Sequence, residues 1–499
     1  MEHFYKLVSK LAVVVFILFF ICVFPGFCVD DATGRVMGKV LSSDGEMMIA
    51  GIIIVDEEGN SWRETTNDYG GYVLRLTPGT YTITYDKGVE FSRYTKEITV
   101  ESYKTYYQKD VRLTQLFDSY SMGWIAGDIH QHSIYSDGLD ELDDLITANA
   151  SCGLYWGFLT DHDTSRGIPE WRGSTGSVVV FTEPNGTKRM FSGFAGDEVT
   201  STFGHFQSIG TGMVFDRYEI NLTETELTSK DKDSIRREKG IYIARQIKAA
   251  GGIPQINHPY SVTNMGAMNF IAEDDWKYFS YFDTFEIWNG YFICPDGRFT
   301  NKGSENQNYI AKLAWYSILN NVKDGGKFLA ATGGTDNHDS SGYASAKNRA
   351  SFGRVPQTVG EYYLLCRYEG KYAGVPTTYV FLGGESIDQM NVMDAIRAGH
   401  SFISNGPVVI CTVGDSVYGD KIETVDGKVV VSCNVFARDG ISLIRVVKNG
   451  DVIKEIGLDM VQSFNEDIVI ESLGSGDWLL FEVLGDFNDY AITNPFFVK

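Results

Sequence analysis

Three times in the middle of the chain a helical stretch runs into a short apolar segment that ends in histidine or aspartate. LDELDDLITANASCG leads into LYWGFLTDH from Leu139, SIRREKGIYIARQIKAAGG into IPQINHP from Ser234, and NQNYIAKLAWYSILNNVKDGG into KFLAATGGTDNH from Asn306. Helix followed by strand, with the chemistry-bearing residue each time at the strand end, is the pattern of a β/α architecture that gathers its site where the strands finish. The segment GSTGSVVVFTEPNGTKRMFSGF interrupts this alternation and reads as a hairpin bordering the pocket.

The residues delivered to those ends have the chemistry of metal ligands. GDIHQHSIYSDG, from Gly127, carries His130 and His132 two residues apart after an apolar run, so both imidazoles face the same side of an extended strand end. The chain has 8 histidines, and apart from His3 and His400 each lies in such a setting. His162 is in LTDHDT, Glu198 and His205 in GDEVTSTFGHF, His258 before Pro259, and Asp336 and His338 in ATGGTDNHD. Imidazole nitrogen and carboxylate oxygen hold ions of hydrolytic type, and a carboxylate such as Glu198 or Asp336 can bridge two. No CxxC occurs, which excludes a thiolate zinc site.

The ordered set HxHSxxSDG, TDHDT, GxE with GH, NHP and DNH resembles the PHP (polymerase and histidinol phosphatase) metallohydrolase superfamily. GDEVTSTFGHF, FEIWNG from Phe285 and GHSFISNGP from Gly399 are similar to its CehA/McbA branch. The resemblance spans roughly residues 120–410. It implies a distorted (β/α)7 barrel and the ligand set His130, His132, Asp137, His162, Glu198, His205, His258, Asp336 and His338. It further implies a partition in which His130, His132, Glu198 and Asp336 hold one ion and Glu198 bridges to a second near His205 and His258. Asp137, His162 and His338 then complete a third position.

The flanks have another character. Residues 1–29 read as a signal peptide or signal anchor: Lys6 and Lys10 precede the apolar run Leu11 to Val23, and Asp30 and Asp31 follow, which places the rest of the chain outside the cytoplasm. Residues 33–116 alternate β-branched or aromatic with polar residues between closely spaced turns and read as a β-sandwich. Its stretch TNDYGGYVLRLTPGTYTITY, from Thr66, resembles the carboxypeptidase regulatory-like domains of exported proteins. Tyr69, Tyr72, Tyr81 and Tyr85 could stack on sugars, but the aromatic enrichment of strands favours core and cross-strand packing for them. Residues 411–499 read as a second β-sandwich, with a hairpin around Asn449 and Gly450. The fold class is therefore multidomain, α/β in the middle and all-β on either side. A net charge of −22 argues against a nucleic-acid surface. Five cysteines follow the leader, too few for a disulfide framework, although Cys411 and Cys433 fall in one β module.

Ions held a few ångström apart lower the pKa of bound water and polarise the bond under attack, so hydrolysis is the expected reaction, with zinc, manganese or iron equally suited to the donors. A small-molecule phosphate ester fits such a site best, because several ions can hold both nucleophile and non-bridging oxygens. Carboxylic or carbamate ester hydrolysis is the alternative, and a glycan-binding surface protein with the barrel as scaffold is the alternative of another class. Asp161 and Asp163, flanking His162, are candidates for orienting an imidazole, accepting a proton or capping a turn. Glu286 and Asn289 are expected to face the pocket, and Arg166, Arg298, Lys347 and Arg349 are candidate phosphate clamps. His400 is expected outside the site.

Overall fold

The computed structural model describes residues 32–261, 265–272, 274–290, 307–341, 373–486 and 489–499. The expected leader, Cys294, Arg298, Lys347, Arg349 and Cys366 lie outside the described residues.

The N-terminal region forms two four-stranded sheets over one apolar core. In the first, Gly34–Ser42 pairs antiparallel with Gly71–Leu76 and parallel with Thr105–Tyr107 and Val111–Leu113. In the second, Gly51–Val55 lies between Ser61–Thr65 and Gly79–Asp86, and Tyr94–Val100 completes the edge, all antiparallel. The period-two pattern sends Tyr81, Ile83 and Tyr85 inward. Tyr72, Tyr81 and Tyr85 are core residues, with the hydroxyls of Tyr72 and Tyr85 hydrogen-bonded at 2.7 Å, whereas Tyr69 is exposed in a turn.

The middle region builds two runs of parallel strands. Trp124–Asp128, Trp156–Leu159 and Ser192–Ala195 form one, with helices Leu142–Ser151 and Ile168–Gly173 in the connections. Ile253–Ile256, Thr284–Asn289 and Ala330–Gly334 form the other, linked in part by helix Gln307–Asn320 and preceded by helix Lys232–Ala249. These strands are buried along their whole length, as parallel strands covered on both faces must be. Among the described residues, simple alternation is broken by hairpins and by an antiparallel strand. Glu198–Ser201 and Gly204–Ile209 form a tight hairpin, so Gly204–Ile209 meets Ile253–Ile256 antiparallel. The two runs touch at their ends, where single bridges join His162 to Glu198 and Gln131 to Asn337. The insertion after His162 is a hairpin of Val179–Thr182 with Lys188–Met190, and it docks on the N-terminal module: Phe181 packs on Phe91, and Arg189 pairs with Asp118 at 2.6 Å.

The C-terminal strands do not start a separate sheet. Thr377–Phe381 pairs with Trp124–Asp128, Ser401–Ser404 pairs with Thr377–Phe381, and Tyr490–Thr493 pairs with Ser401–Ser404. The sheet continues through Trp478–Gly485 and Val429–Lys448 to Val408–Thr412, twelve strands in all. A single apolar core accordingly runs from Trp124 and Phe158 to Val431 and Phe481. The expected hairpin is present, with Asn449 (φ 52°) and Gly450 (φ 95°) turning Val429–Lys448 into Asp451–Ile470. Two consecutive positive φ values are what a two-residue hairpin turn requires.

Candidate metal centre

Strand Trp124–Asp128 ends by presenting His130 and His132 to the gap between the two parallel runs. Asp128, fully buried, closes that gap: its carboxylate accepts from the backbone N–H groups of His130 and Thr335, both at 3.1 Å, and from the Thr335 hydroxyl. The Asp336 N–H then donates to the His130 carbonyl at 2.7 Å. Gly334 makes the approach possible, since a Cβ there would lie 2.3 Å from the Cβ of His130. Asp163, His258 and Asp336 have φ of 50°, 24° and 49°, a region that costs L-residues energy and that persists where surrounding contacts over-determine it.

The side chains that meet there are the set expected from the sequence. The Nε2 atoms of His130 and His132 each lie 3.2 Å from Oε2 of Glu198, and 3.5 and 3.1 Å from Oδ1 of Asp336. The other oxygen of Glu198 faces His205 Nδ1 at 3.1 Å and His258 Nε2 at 2.9 Å. A third group lies outward: His338 Nε2 is 3.2 Å and His162 Nε2 is 3.7 Å from the carboxylate of Asp137, which is 58 % exposed. Donor atoms of His132, Asp137, His162 and His338, of His130, His132, Glu198 and Asp336, and of His162, Glu198 and His205 each converge closely enough to share an ion. His258 is in none of these three groups; its Nε2 reaches the site at Glu198.

The supporting residues divide less predictably. Glu286 stands at the centre, with Oε1 2.9 Å from His130 Nδ1 and Oε2 accepting from the His258 N–H at 2.7 Å. Asn289 donates to Glu286 at 3.2 Å. Asp161 touches no imidazole; it accepts from the Ser133 N–H and hydroxyl and from the Ser136 hydroxyl, all at 2.7 Å, and so shapes the loop carrying His132 and Asp137. Asp163 accepts from the Thr200 N–H at 2.9 Å and pairs with Arg217, while the Thr200 hydroxyl meets His162 Nδ1 at 2.8 Å. Its effect on the imidazole therefore passes through Thr200. Arg166 lies over the ring of Tyr135, and His400 pairs with Asp420 away from the site. Sequence reasoning missed Asp128 and a buried amide chain beneath the site. In that chain Asn257 donates to Glu198 at 3.0 Å, Gln255 donates to Asn257 and Gln207, and Thr332 donates to Gln255. The only available signal was polar residues inside otherwise apolar strands, IPQIN and FQSI.

Electrostatics and hydrogen bonding both call for a cation. Burial opposes charge on His130, yet the carboxylates of Glu198, Glu286 and Asp336 outweigh it and hold the imidazole well above its usual value. His132 is likewise raised to about 9 against its burial by Asp336 and Glu198. His162 is pushed down to about 4, chiefly by burial. Glu198 lies well below the carboxylate range despite complete burial, held there by His130, His162 and His205. Nε2 of His130, Nε2 of His132 and Oε2 of Glu198 are buried and converge on one point, the two nitrogens each 3.2 Å from the oxygen, and among the described residues none of the three makes a well-aligned hydrogen bond. Leaving such groups unsatisfied costs about 1–3 kcal/mol each, which a divalent ion among nitrogen and carboxylate donors removes. The donor set fits that group.

No protein-family model and no curated protein matches the chain. Among solved structures it is similar to a two-domain protein from Bacteroides vulgatus containing a predicted PHP-like metal-dependent phosphoesterase: 14% identity, 74% of this chain, 95% of that one, TM-score 0.33. It is similar to an amidohydrolase from Chromobacterium violaceum over 43% of this chain and 87% of that one, at 18% identity and TM-score 0.25. A protein from Bifidobacterium adolescentis described as a metal-dependent phosphoesterase aligns over 42% of this chain and 87% of that one, at 15% identity and TM-score 0.26.

Proposed function

We propose that the chain is an exported metal-dependent hydrolase of the PHP superfamily, CehA/McbA branch, acting on phosphate esters at a centre of about two or three divalent ions in a distorted (β/α)7 barrel. The observation that carries this reading is the convergence of buried donor atoms of His130, His132 and Glu198 on one point, with Asp336 beside them. Glu198 presents one oxygen to that point and the other to His205 and His258, which is the geometry of a bridging ligand. Bound divalent ions supply a nucleophilic water at neutral pH and neutralise charge that develops on the substrate. The chain holds and aims the site: Glu286 orients His130, Asn257 steadies Glu198, and Asp161 sets the loop that bears Asp137. Asp137, His162 and His338 are its more exposed side, from which substrate enters.

A panel of phosphomonoesters, phosphodiesters and carboxyl or carbamate esters, assayed with zinc, manganese and iron, tests the substrate class. Turnover is expected on phosphate esters; turnover confined to carboxyl esters would move the assignment to carbonyl hydrolysis on the same ligands. Export is supported by the lysines before the apolar run and the aspartates after it. A reporter active only outside the cytoplasm, fused after Asp31, should score positive, and a cytoplasmic signal would overturn export.

A further inference from the structure

Two cysteines face each other in the continuous sheet far from the metal ligands in sequence. Cys411, on Val408–Thr412, is the direct cross-strand partner of Cys433 on Val429–Lys448. Their Sγ atoms are 2.9 Å apart, nearer than two unbonded sulfurs sit in ordinary contact. Both side chains are buried, at 0 % and 1 % exposure. The Cys411 N–H donates to the Tyr418 hydroxyl at 2.8 Å instead of to the opposite strand, so the pair occupies a non-hydrogen-bonded position of the antiparallel ladder. That is the position where facing residues come closest, with Cα atoms about 4.5 Å apart, within the range a disulfide spans. The Tyr418 hydroxyl in turn donates to the Val409 carbonyl at 3.0 Å, so Tyr418 takes the outward backbone groups of the Cys411 strand.

We infer that Cys411 and Cys433 form a structural disulfide that ties the strand leaving the barrel to the C-terminal hairpin. The oxidant is an external disulfide. One thiolate attacks it to give a mixed disulfide and releases a thiol; the second thiolate then displaces the remaining thiol, so two cysteine thiols are oxidised and one external disulfide is reduced to two thiols. Because both sulfurs are buried in the folded chain, the bond forms while the module is open and is afterwards shielded from reductant. The inference is independent of the metal chemistry and requires only an oxidising surrounding.

The test uses the full chain, unfolded and refolded in a glutathione redox buffer, then alkylated without reduction, digested and weighed. A peptide linking Cys411 to Cys433 should dominate, and reductant should break it only after denaturant is added. Both cysteines recovered singly alkylated, or either linked elsewhere, would overturn the inference. As a second readout, reduction under denaturant followed by refolding and melting in the presence of reductant, with the thiols left free, should lower Tm by about 5 °C or more. The double variant Cys411→Ala, Cys433→Ala should show no response to the same cycle. An equal fall in the variant would overturn the inference that this pair supplies the redox-sensitive stability.

Discussion

Asp336 sits at a strand end with positive φ, its Oδ1 within 3.5 Å of both His130 and His132 Nε2 atoms. Asp336→Asn keeps size and shape but removes the charge that holds a cation. Loss of a ligand exceeds the 10- to 100-fold typical of residues behind the ligands, so turnover of a phosphate ester should fall by about a hundredfold or more. The circular dichroism spectrum should stay that of the wild type, because a carboxylate at a strand end contributes little packing. Near-wild-type turnover in a folded variant would remove Asp336 from the site. At this scale the sequence was most informative: scarce histidines placed at the ends of apolar runs marked side chains that meet in the candidate centre, without any three-dimensional knowledge. Asp128, Asn257 and Gln255 escaped because what distinguishes them is the partner across the sheet, Thr335, Glu198 and Gln207 respectively. Asp161 and Asp163, alike in sequence, separate only when Ser133 and Thr200 are seen to be their partners.

Among the elements, the N-terminal module is fastened to the middle region by hydrogen bonds as well as by packing. Lys87, 1 % exposed, donates to the carbonyl of Ala150 at the end of helix Leu142–Ser151, 2.6 Å away, and the Arg63 N–H donates to the Ser341 carbonyl just beyond His338. Burial pushes the Lys87 amine down to about 7 from 10.5. Above that folded value the native state has released the proton while the unfolded chain still holds it, so stability should rise with pH from about 7 towards 10.5. Below pH 7 both states are protonated and the full cost of burying the charge remains. Lys87→Met should therefore raise Tm most at pH 6.5 and progressively less by pH 9.5, the low-pH gain being on the order of a few kcal/mol. Tm differences that stay constant across that range would contradict a depressed lysine. Local signals were sufficient for the elements that depend on local chemistry, such as the Asn449-Gly450 hairpin and the inward tyrosines. They did not reveal that Gly204–Ile209 runs against its neighbour, since strand direction is decided by the length of the preceding turn.

For the molecule as a whole, the main departure from a linear reading is that the first parallel run and the C-terminal strands share a sheet and a core. Pairing between Ser401–Ser404 and Tyr490–Thr493 is a contact between distant segments, and nothing within either segment announces it. A buried ion pair of Lys312 with Glu482, at 2.6 Å, adds a second tie between helix Gln307–Asn320 and strand Trp478–Gly485. A chain ending at residue 410 should therefore lose cooperative unfolding and bind a hydrophobic dye, because it lacks the C-terminal side of a continuous core and exposes what packed against it. Cooperative melting of that truncated chain would show instead that the region before residue 411 is a separate folding unit. The convergence of ligands from strand ends far apart in sequence is the claim on which the functional reading depends, and it is tested most directly by counting ions. Full-length protein stripped with chelator and titrated with zinc, manganese or iron should take up about two or three ions per chain and gain phosphate-ester turnover in step, with Asp336→Asn taking up fewer. Binding of less than one ion per chain, or full loading with no turnover on any ester, would contradict it.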